Sequence, residues 1–163
     1  MGESISTTKP SVVIGSDHAG YALKGELLSA LGDDGYEITD LGTFSLESMD
    51  YPDIAVAVAS AVAAGEFDKG ILICGTGIGV CITANKVKGI RAAAVSDTYS
   101  ARMARAHNNA NIVCMGARVV GSGLAHDIAR AFLDTDFEAG PRHGRRVDKI
   151  NALDQCGEEP RGS

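Results

Sequence analysis

Apolar positions along the chain alternate between two periods. Val12, Val13 and Ile14 form a short β-branched run that stops at Gly15, and Leu23, Leu27, Leu28 and Leu31 then mark one helical stripe ended by Gly32. Residues 37–41 read as a second strand. Pro52 suits the first turn of the next helix, where Ile54, Val58 and Val62 recur before Gly65. Residues 70–74 are almost wholly apolar, as in a strand covered on both faces. The alternation continues with a helix over 78–87 and a strand over 91–95. A helix capped by Ser96 or Asp97 then runs to about His107, followed by a strand over 112–115. Ser122 is placed to cap a helix carrying Leu124, Ile128 and Phe132, and 144–153 closes the pattern as a further helix. Strands alternating with helices over short connections imply right-handed βαβ units. The expected architecture is α/β: a single-domain, three-layer Rossmann-like fold with a five-stranded parallel sheet, helices on both faces and a C-terminal helix. Residues 11–155 form the domain, between a flexible leader (1–10) and a flexible tail (156–163).

Composition narrows the setting. The chain has 163 residues and a formal net charge of −6, which argues against a general nucleic-acid binder. The longest apolar stretch, residues 54–64, is short of the roughly 20 residues that span a bilayer, so no membrane partner is expected. The N-terminus has no apolar segment of the secretory type, although Gly2 and Ser6 formally match an acylation pattern. Cys74, Cys81, Cys114 and Cys156 show no metal-finger spacing and are expected to be reduced thiols in a cytoplasmic protein.

Ligands of open parallel sheets bind beyond the carboxyl ends of the strands. That rule selects loops 15–20, 41–51, 74–79, 95–98 and 115–121. In the third, Cys74 is followed by Gly75, Thr76, Gly77, Ile78 and Gly79, so free backbone N–H groups can converge on an anion beside a thiol. The spacing fails a dinucleotide fingerprint and a thiol-phosphatase loop alike, because Val80 stands where the first needs glycine and the second arginine. Asp97 keeps a nucleotide-binding module open as an alternative of another class. Asp17 and His18 follow the first strand, where they can handle substrate hydroxyls or cap a helix. His107 and Asn108 are explained equally well as helix-end residues. Arg142 and Arg146, four apart, suit an anion clamp, though a solvated basic turn has the same composition. No metal-ligand set and no cofactor motif is recognisable. Cys81 and Cys114 read as core thiols, which leaves Cys74 as the thiol expected to be alkylated first. This inventory suits cofactor-free proton transfer next to a carbonyl on a small phosphorylated compound.

Read in order, Asp17-His18-Ala19-Gly20, Asp50-Tyr51-Pro52, the run 70–79, Ala84-Asn85-Lys86 with Gly89-Ile90-Arg91, His107-Asn108, the run 116–121 and Arg142-His143 with Arg146 make a recognisable set. The chain resembles the type B ribose-5-phosphate isomerases, which belong with the galactose-6-phosphate isomerase subunits in one sugar-phosphate isomerase family. The resemblance covers about residues 11–155.

What it implies is interconversion of ribose 5-phosphate and ribulose 5-phosphate through an enediolate, without cofactor or metal. Cys74 matches the general base, in contrast to members that carry a glutamate base and a serine at this position. The amides of Gly75, Gly77, Ile78 and Gly79 match the anion hole, with Thr76 beside the transferring proton. His107, helped by Asp17, matches the ring-opening group. Tyr51 and Asn108 match substrate contacts, and His18, Arg118, Arg142 and Arg146 match the phosphate and substrate set. The family also implies a homodimer or tetramer with sites shared between subunits. A six-carbon (galactose or allose) 6-phosphate isomerase is the alternative within the class.

Overall fold

The computed structural model describes residues 8–155; the expectations for Gly2, the rest of 1–7, the tail 156–163 and its Cys156 lie outside them. Five strands form one sheet: β1 (Val12–Ser16), β2 (Ile38–Asp40), β3 (Lys69–Cys74), β4 (Ala92–Ala94) and β5 (Ile112–Gly116). All pairings are parallel, in the order β2-β1-β3-β5-β4. The helices are α1 (Tyr21–Asp33), α2 (Tyr51–Ala63), α3 (Ile78–Ala84), α4 (Thr98–Asn108), α5 (Ser122–Leu133) and α6 (Pro141–Ala152), followed by a 3-10 turn, Leu153–Gln155.

Side-chain alternation along the strands divides the core in two. Val12 and Ile14 of β1, Ile71 and Ile73 of β3, and Val113 and Met115 of β5 point to the layer of α1, α4 and α5, around the buried Phe132. Val13, Leu72, Cys74, Ile112 and Cys114 point the other way, toward α2 and α3. The three central strands are therefore apolar on both faces, while the edge strands β2 and β4 are three residues each and partly exposed. Helix α6 buries Val147 and packs on α4 rather than on the sheet.

The expected architecture is present, with differences at the ends of elements. Helix α1 passes through Gly32, and the chain reverses at Gly35, whose φ of 83° suits glycine. Helix α3 stops at Ala84 instead of 87 because Asn85 turns back onto β4: its Oδ1 accepts from Ala92 N (2.8 Å) and its Nδ2 donates to Ala92 O (2.9 Å). Ser122 is the first helical residue of α5, not its cap, which is Gly121. Helix α6 starts at Pro141, three residues earlier than expected, since proline's fixed φ suits a first turn. Asp97 does cap α4, accepting from Ser100 N at 2.7 Å.

Candidate functional site

Strand order reverses between β1 and β3, and the loops leaving these strands meet there. Cys74 closes β3, 5% exposed, with its Sγ accepting a hydrogen bond from Gly77 N at 3.1 Å. Gly77 has φ 77° and abuts the end of β5 so closely that a Cβ there would lie 2.8 Å from the Met115 carbonyl carbon. A Cβ on Gly116 would likewise meet the Thr76 backbone at 2.6 Å. The loop after β3 is thus clamped to β5, and Ala117 N→Cys74 O (2.8 Å) and Arg118 N→Gly75 O (3.1 Å) complete the joint. This contact lays the Arg118 guanidinium over Gly75. From the other side Tyr51, at the start of α2, presses its ring against Gly79, where a Cβ would come within 2.6 Å of Cζ. Thr76 is exposed, and its Oγ1 accepts from Ile78 N at 3.2 Å. Helix α3 has only seven residues, so its dipole adds little here, and the amides of Gly77 and Ile78 are turned toward Cys74 Sγ and Thr76 Oγ1.

The loop after β1 adds Asp17 and His18. Asp17 is buried and accepts from Gly20 N (3.1 Å), so its carboxylate orders the turn into α1. His18 Nδ1 accepts from Met49 N (3.2 Å), which places the proton of a neutral ring on Nε2. The segment leading to Met49 and Tyr51 is braced by a pair that sequence reasoning missed. Lys24, 2% exposed, places its Nζ at 2.6 and 2.5 Å from the two carboxylate oxygens of Asp40, whose Oδ1 also accepts from Gly42 N. No spacing announces this pair, because it joins a helix interior to a strand end.

The remaining expected residues are elsewhere. Helix α4 begins beyond the carboxyl end of β4 and ends against the amino ends of β4 and β5. There Asn108 O and Asn109 O accept from Arg91, which precedes β4. Eleven helical residues at about 1.5 Å each carry His107 some 16 Å from the carboxyl-end loops. Rule-based selection of carboxyl-end loops therefore holds for Asp17, His18, Tyr51, Cys74, Thr76 and Arg118, but not for His107, Asn108, Arg142 or Arg146.

His107, Arg142 and Arg146 form their own cluster with His143, which the sequence showed only as part of the Arg142–Arg146 motif, and Glu138, which it did not single out. His107 stacks on His143 of α6, ring centroids 4.3 Å apart and planes 6° from parallel. Arg142 Nη2 lies 3.1 Å from His143 Nε2, and a guanidinium only donates, so this nitrogen accepts. Burial, then the nearby His107, Arg142 and Arg146, holds His143 below the ordinary histidine pKa. Arg142 and Arg146 themselves are exposed. Glu138, on the loop tied to α4 by Glu138 N→Ala106 O (2.9 Å), brings a carboxylate to the pair. The donor atoms of His107, Glu138 and His143 lie within 4.8 Å of one another, a grouping hidden by a 31-residue gap between His107 and Glu138. Imidazole lone pairs lie in the ring plane, and stacked rings cannot both aim at one ion. The cluster as arranged sets two imidazoles, one carboxylate and the exposed Arg142 and Arg146 side by side.

Thiol accessibility also differs from expectation. Cys74 is nearly enclosed, whereas Cys81 is partly exposed, with a pKa brought down to about 7 by a hydrogen bond from Cys114. Among the described residues Cys81 is the most exposed thiol.

Comparison with known proteins agrees with the geometry. A family model described as "Ribose/Galactose Isomerase" matches residues 12–150. The chain is 49% identical over 144 residues to "Ribose-5-phosphate isomerase B" of Escherichia coli, covering 88% of this chain and 96% of that one. It is 48% identical over 141 residues to "D-erythrulose-4-phosphate isomerase" of Pectobacterium atrosepticum, covering 86% and 92%. The crystal structure of ribose-5-phosphate isomerase B from Mycoplasma genitalium with bound ribulose-5-phosphate superposes with a TM-score of 0.85 at 43% identity, covering 89% of this chain and 96% of that one.

Proposed function

The chain belongs to the ribose/galactose isomerase family, and from that premise we propose that it interconverts ribose 5-phosphate and ribulose 5-phosphate by proton transfer through an enediolate. One observation carries the reading: Cys74 Sγ faces the amide of Gly77 in a loop whose glycines leave no room for side chains between β3, β5 and Tyr51. In the proposed cycle the Cys74 thiolate removes the proton from C2 of the open-chain aldose. The amides of Gly75, Gly77, Ile78 and Gly79 receive the enediolate oxygen, the thiol returns the proton to C1, and the hydroxyl proton of O2 passes to O1. Such preorganised donors act only on charge that develops during the reaction, which is where rate is gained. Thr76 stands beside the moving proton, with Tyr51 and His18 along the sugar. The isomerisation is redox-neutral and internal, so it requires no cofactor.

His107, helped by Asp17, opens the furanose ring; Asn108 contacts the sugar, and Arg118, Arg142 and Arg146 hold the phosphate. Because His107 and Cys74 lie at opposite ends of the sheet, these roles require a second copy of the chain. We therefore assign a homodimer as the minimal unit, each reaction centre joining a Cys74 loop to the α4–α6 corner of its neighbour. Exposed Tyr51, Val56, Ile78 and Ile82 on α2 and α3 give the surface for it. No helix among the described residues is long and apolar enough to cross a membrane; a cytoplasmic enzyme of sugar-phosphate metabolism is the setting that suits this activity.

The test is a panel of four-, five- and six-carbon aldose phosphates, assayed in the presence of chelator. Fastest turnover of ribose 5-phosphate is the expected result. Preference for a six- or four-carbon phosphate would reassign the substrate, the latter in keeping with the similarity to the Pectobacterium protein. No turnover of any of them, with nucleotide binding instead, would make the glycine loop a binding module.

A further inference from the structure

The amino end of β3 holds two buried cations that take no part in the chemistry just proposed. Lys69, the first residue of β3, is 8% exposed, and Arg105, in the last turn of α4, is 9% exposed. Both flank the buried Phe132 ring, with Lys69 Nζ 5.9 Å and Arg105 Cζ 5.8 Å from its centroid. Both also hold main-chain carbonyls at the end of α5: Lys69 Nζ donates to Leu133 O (2.8 Å) and Arg105 Nε to Thr135 O (3.3 Å). Arg105 Nη1 donates to Asn109 Oδ1 (2.9 Å) and Ala110 O (2.6 Å). Among the described residues neither cation has a carboxylate within ion-pair distance. Buried lysine and arginine are rarely left so, because the charge gives up its water without a counter-charge.

Lys69 and Arg105 line the same cavity, of about 560 Å³. The bonds above use one of the three donors of the ammonium and three of the five of the guanidinium, leaving two on each. Three carboxylates also line the cavity, but two are engaged elsewhere. Asp68 accepts from Ser11 N (2.7 Å) and Ser11 Oγ (2.9 Å), and Asp134 is bound by Tyr36 and Arg130. Lys9, on the same wall, is taken up by Asp34 O and the Tyr36 ring. The exposed Asp136 and the carbonyls at the end of α5 offset only part of the two positive charges. Lys69 registers the remainder: burial, then Arg105, holds its amine down to about 8 against the pull of Asp136, Asp134 and Asp68.

We propose that this cavity binds a small organic monocarboxylate, its two oxygens taking the spare donors of Lys69 and Arg105 and its hydrocarbon end lying against Pro10 and Leu133. One negative charge completes the balance, whereas a phosphate dianion exceeds it beside Asp136. The site is separate from the reaction centre. Cys74 closes the same strand five residues on, about 16 Å away at about 3.3 Å per residue. At about 3.6 residues per turn, Arg105 and His107 stand on opposite sides of α4.

The experiment titrates butyrate into the full chain, followed by calorimetry and by NMR of the lysine ε-carbons. The expected result is one butyrate per chain, weaker binding of inorganic phosphate, and none of butyramide, which keeps the shape without the charge. Bound butyrate should move the Lys69 titration upward from about 8, because a neighbouring anion favours the ammonium, and leave the other lysines unmoved. Lys69→Met, which keeps an apolar stem beside Phe132, should weaken butyrate by about 10- to 100-fold, the worth of one charged hydrogen bond. The double variant Arg142→Ala/Arg146→Ala should bind butyrate as the wild type does. Binding that survives Lys69→Met, or that is lost in the double variant, would overturn the proposal by placing the anion elsewhere. Equal binding of butyramide would overturn it by showing an apolar cleft alone, and tighter binding of phosphate would overturn the choice of a carboxylate. Absence of saturable binding would end it outright. Every measurement here is of binding, so a chain without isomerase activity would fail that reading while this one is still decided.

Discussion

The Cys74 loop and the α4–α6 corner are built on opposite plans. Around Cys74, backbone packs on backbone: Gly77 and Gly116 let two strand ends touch, and Gly79 admits the Tyr51 ring. The groups on offer are main-chain amides that cannot change rotamer. At the other corner, exposed Arg142 and Arg146 and a stacked His107–His143 pair stand on two helix ends. These groups are long, charged and adjustable. The first arrangement suits stabilisation of charge that exists only fleetingly, because fixed dipoles need no reorganisation. The second suits a phosphate that is dianionic throughout and must be admitted and released. The two arrangements stand at opposite ends of the strands.

Removing the base should break this contrast most sharply. Cys74→Ala is expected to lower turnover by about 10²–10⁴-fold without unfolding the chain, as checked by steady-state kinetics alongside thermal melting. Cys74→Ser should be nearly as poor, since a hydroxyl supplies no comparable anion near neutral pH. A mixing experiment sharpens it further. Cys74→Ala and His107→Ala, each inactive alone, should regain about one quarter of wild-type activity after co-refolding, because half the dimers are mixed and each mixed dimer has one intact site of two. No recovery would place Cys74 and His107 in the same chain's site or outside the reaction altogether.

Smaller effects follow at the periphery. Arg142→Ala or Arg146→Ala should raise KM by about 10- to 100-fold, the loss of one charged hydrogen bond, with kcat little changed. An unchanged KM for both would remove them from phosphate capture. Gly79→Ala drives a Cβ into Tyr51 and should cost about 1–3 kcal/mol of stability by overpacking, measured by denaturant titration. A Tyr51→Ala background should relieve it. The gentlest test is of pH. His143 binds a proton less readily folded than unfolded, so its contribution to stability is fully present above about pH 6.5 and is lost as pH falls toward its lowered folded value. The thermal midpoint should therefore fall less steeply on acidification in His143→Asn than in the wild type.

How much of this was legible beforehand depended on the distance over which residues interact. Residues 70–74 and 112–115 announced central strands because burial on both faces demands an unbroken apolar run. Strand β4 was harder: Ala92, Ala93 and Ala94 have little strand character, and Asn85 sets where the strand begins by pairing with Ala92 from seven residues away. The Cys74 loop was readable as a site because its amides, thiol and glycines are contiguous. The position of His107 followed from helix length alone: a helix that starts at the carboxyl end of a sheet delivers its last turn to the amino end. His143 was visible only as part of the Arg142–Arg146 motif and Glu138 gave no local signal, for both meet His107 only through the folding of residues 138–143 back onto α4.

The placement of Cys74 and His107 at opposite ends of the molecule has a consequence for how abundance relates to output. In the homodimer proposed above, a solitary chain, however well folded, would own two incomplete centres. Assembly of neighbouring copies would then be a term in the rate law: below the dissociation constant of the pair, catalytic output would fall with the square of the chain's concentration, and substrate, by bridging two copies, would pull the equilibrium toward the working form.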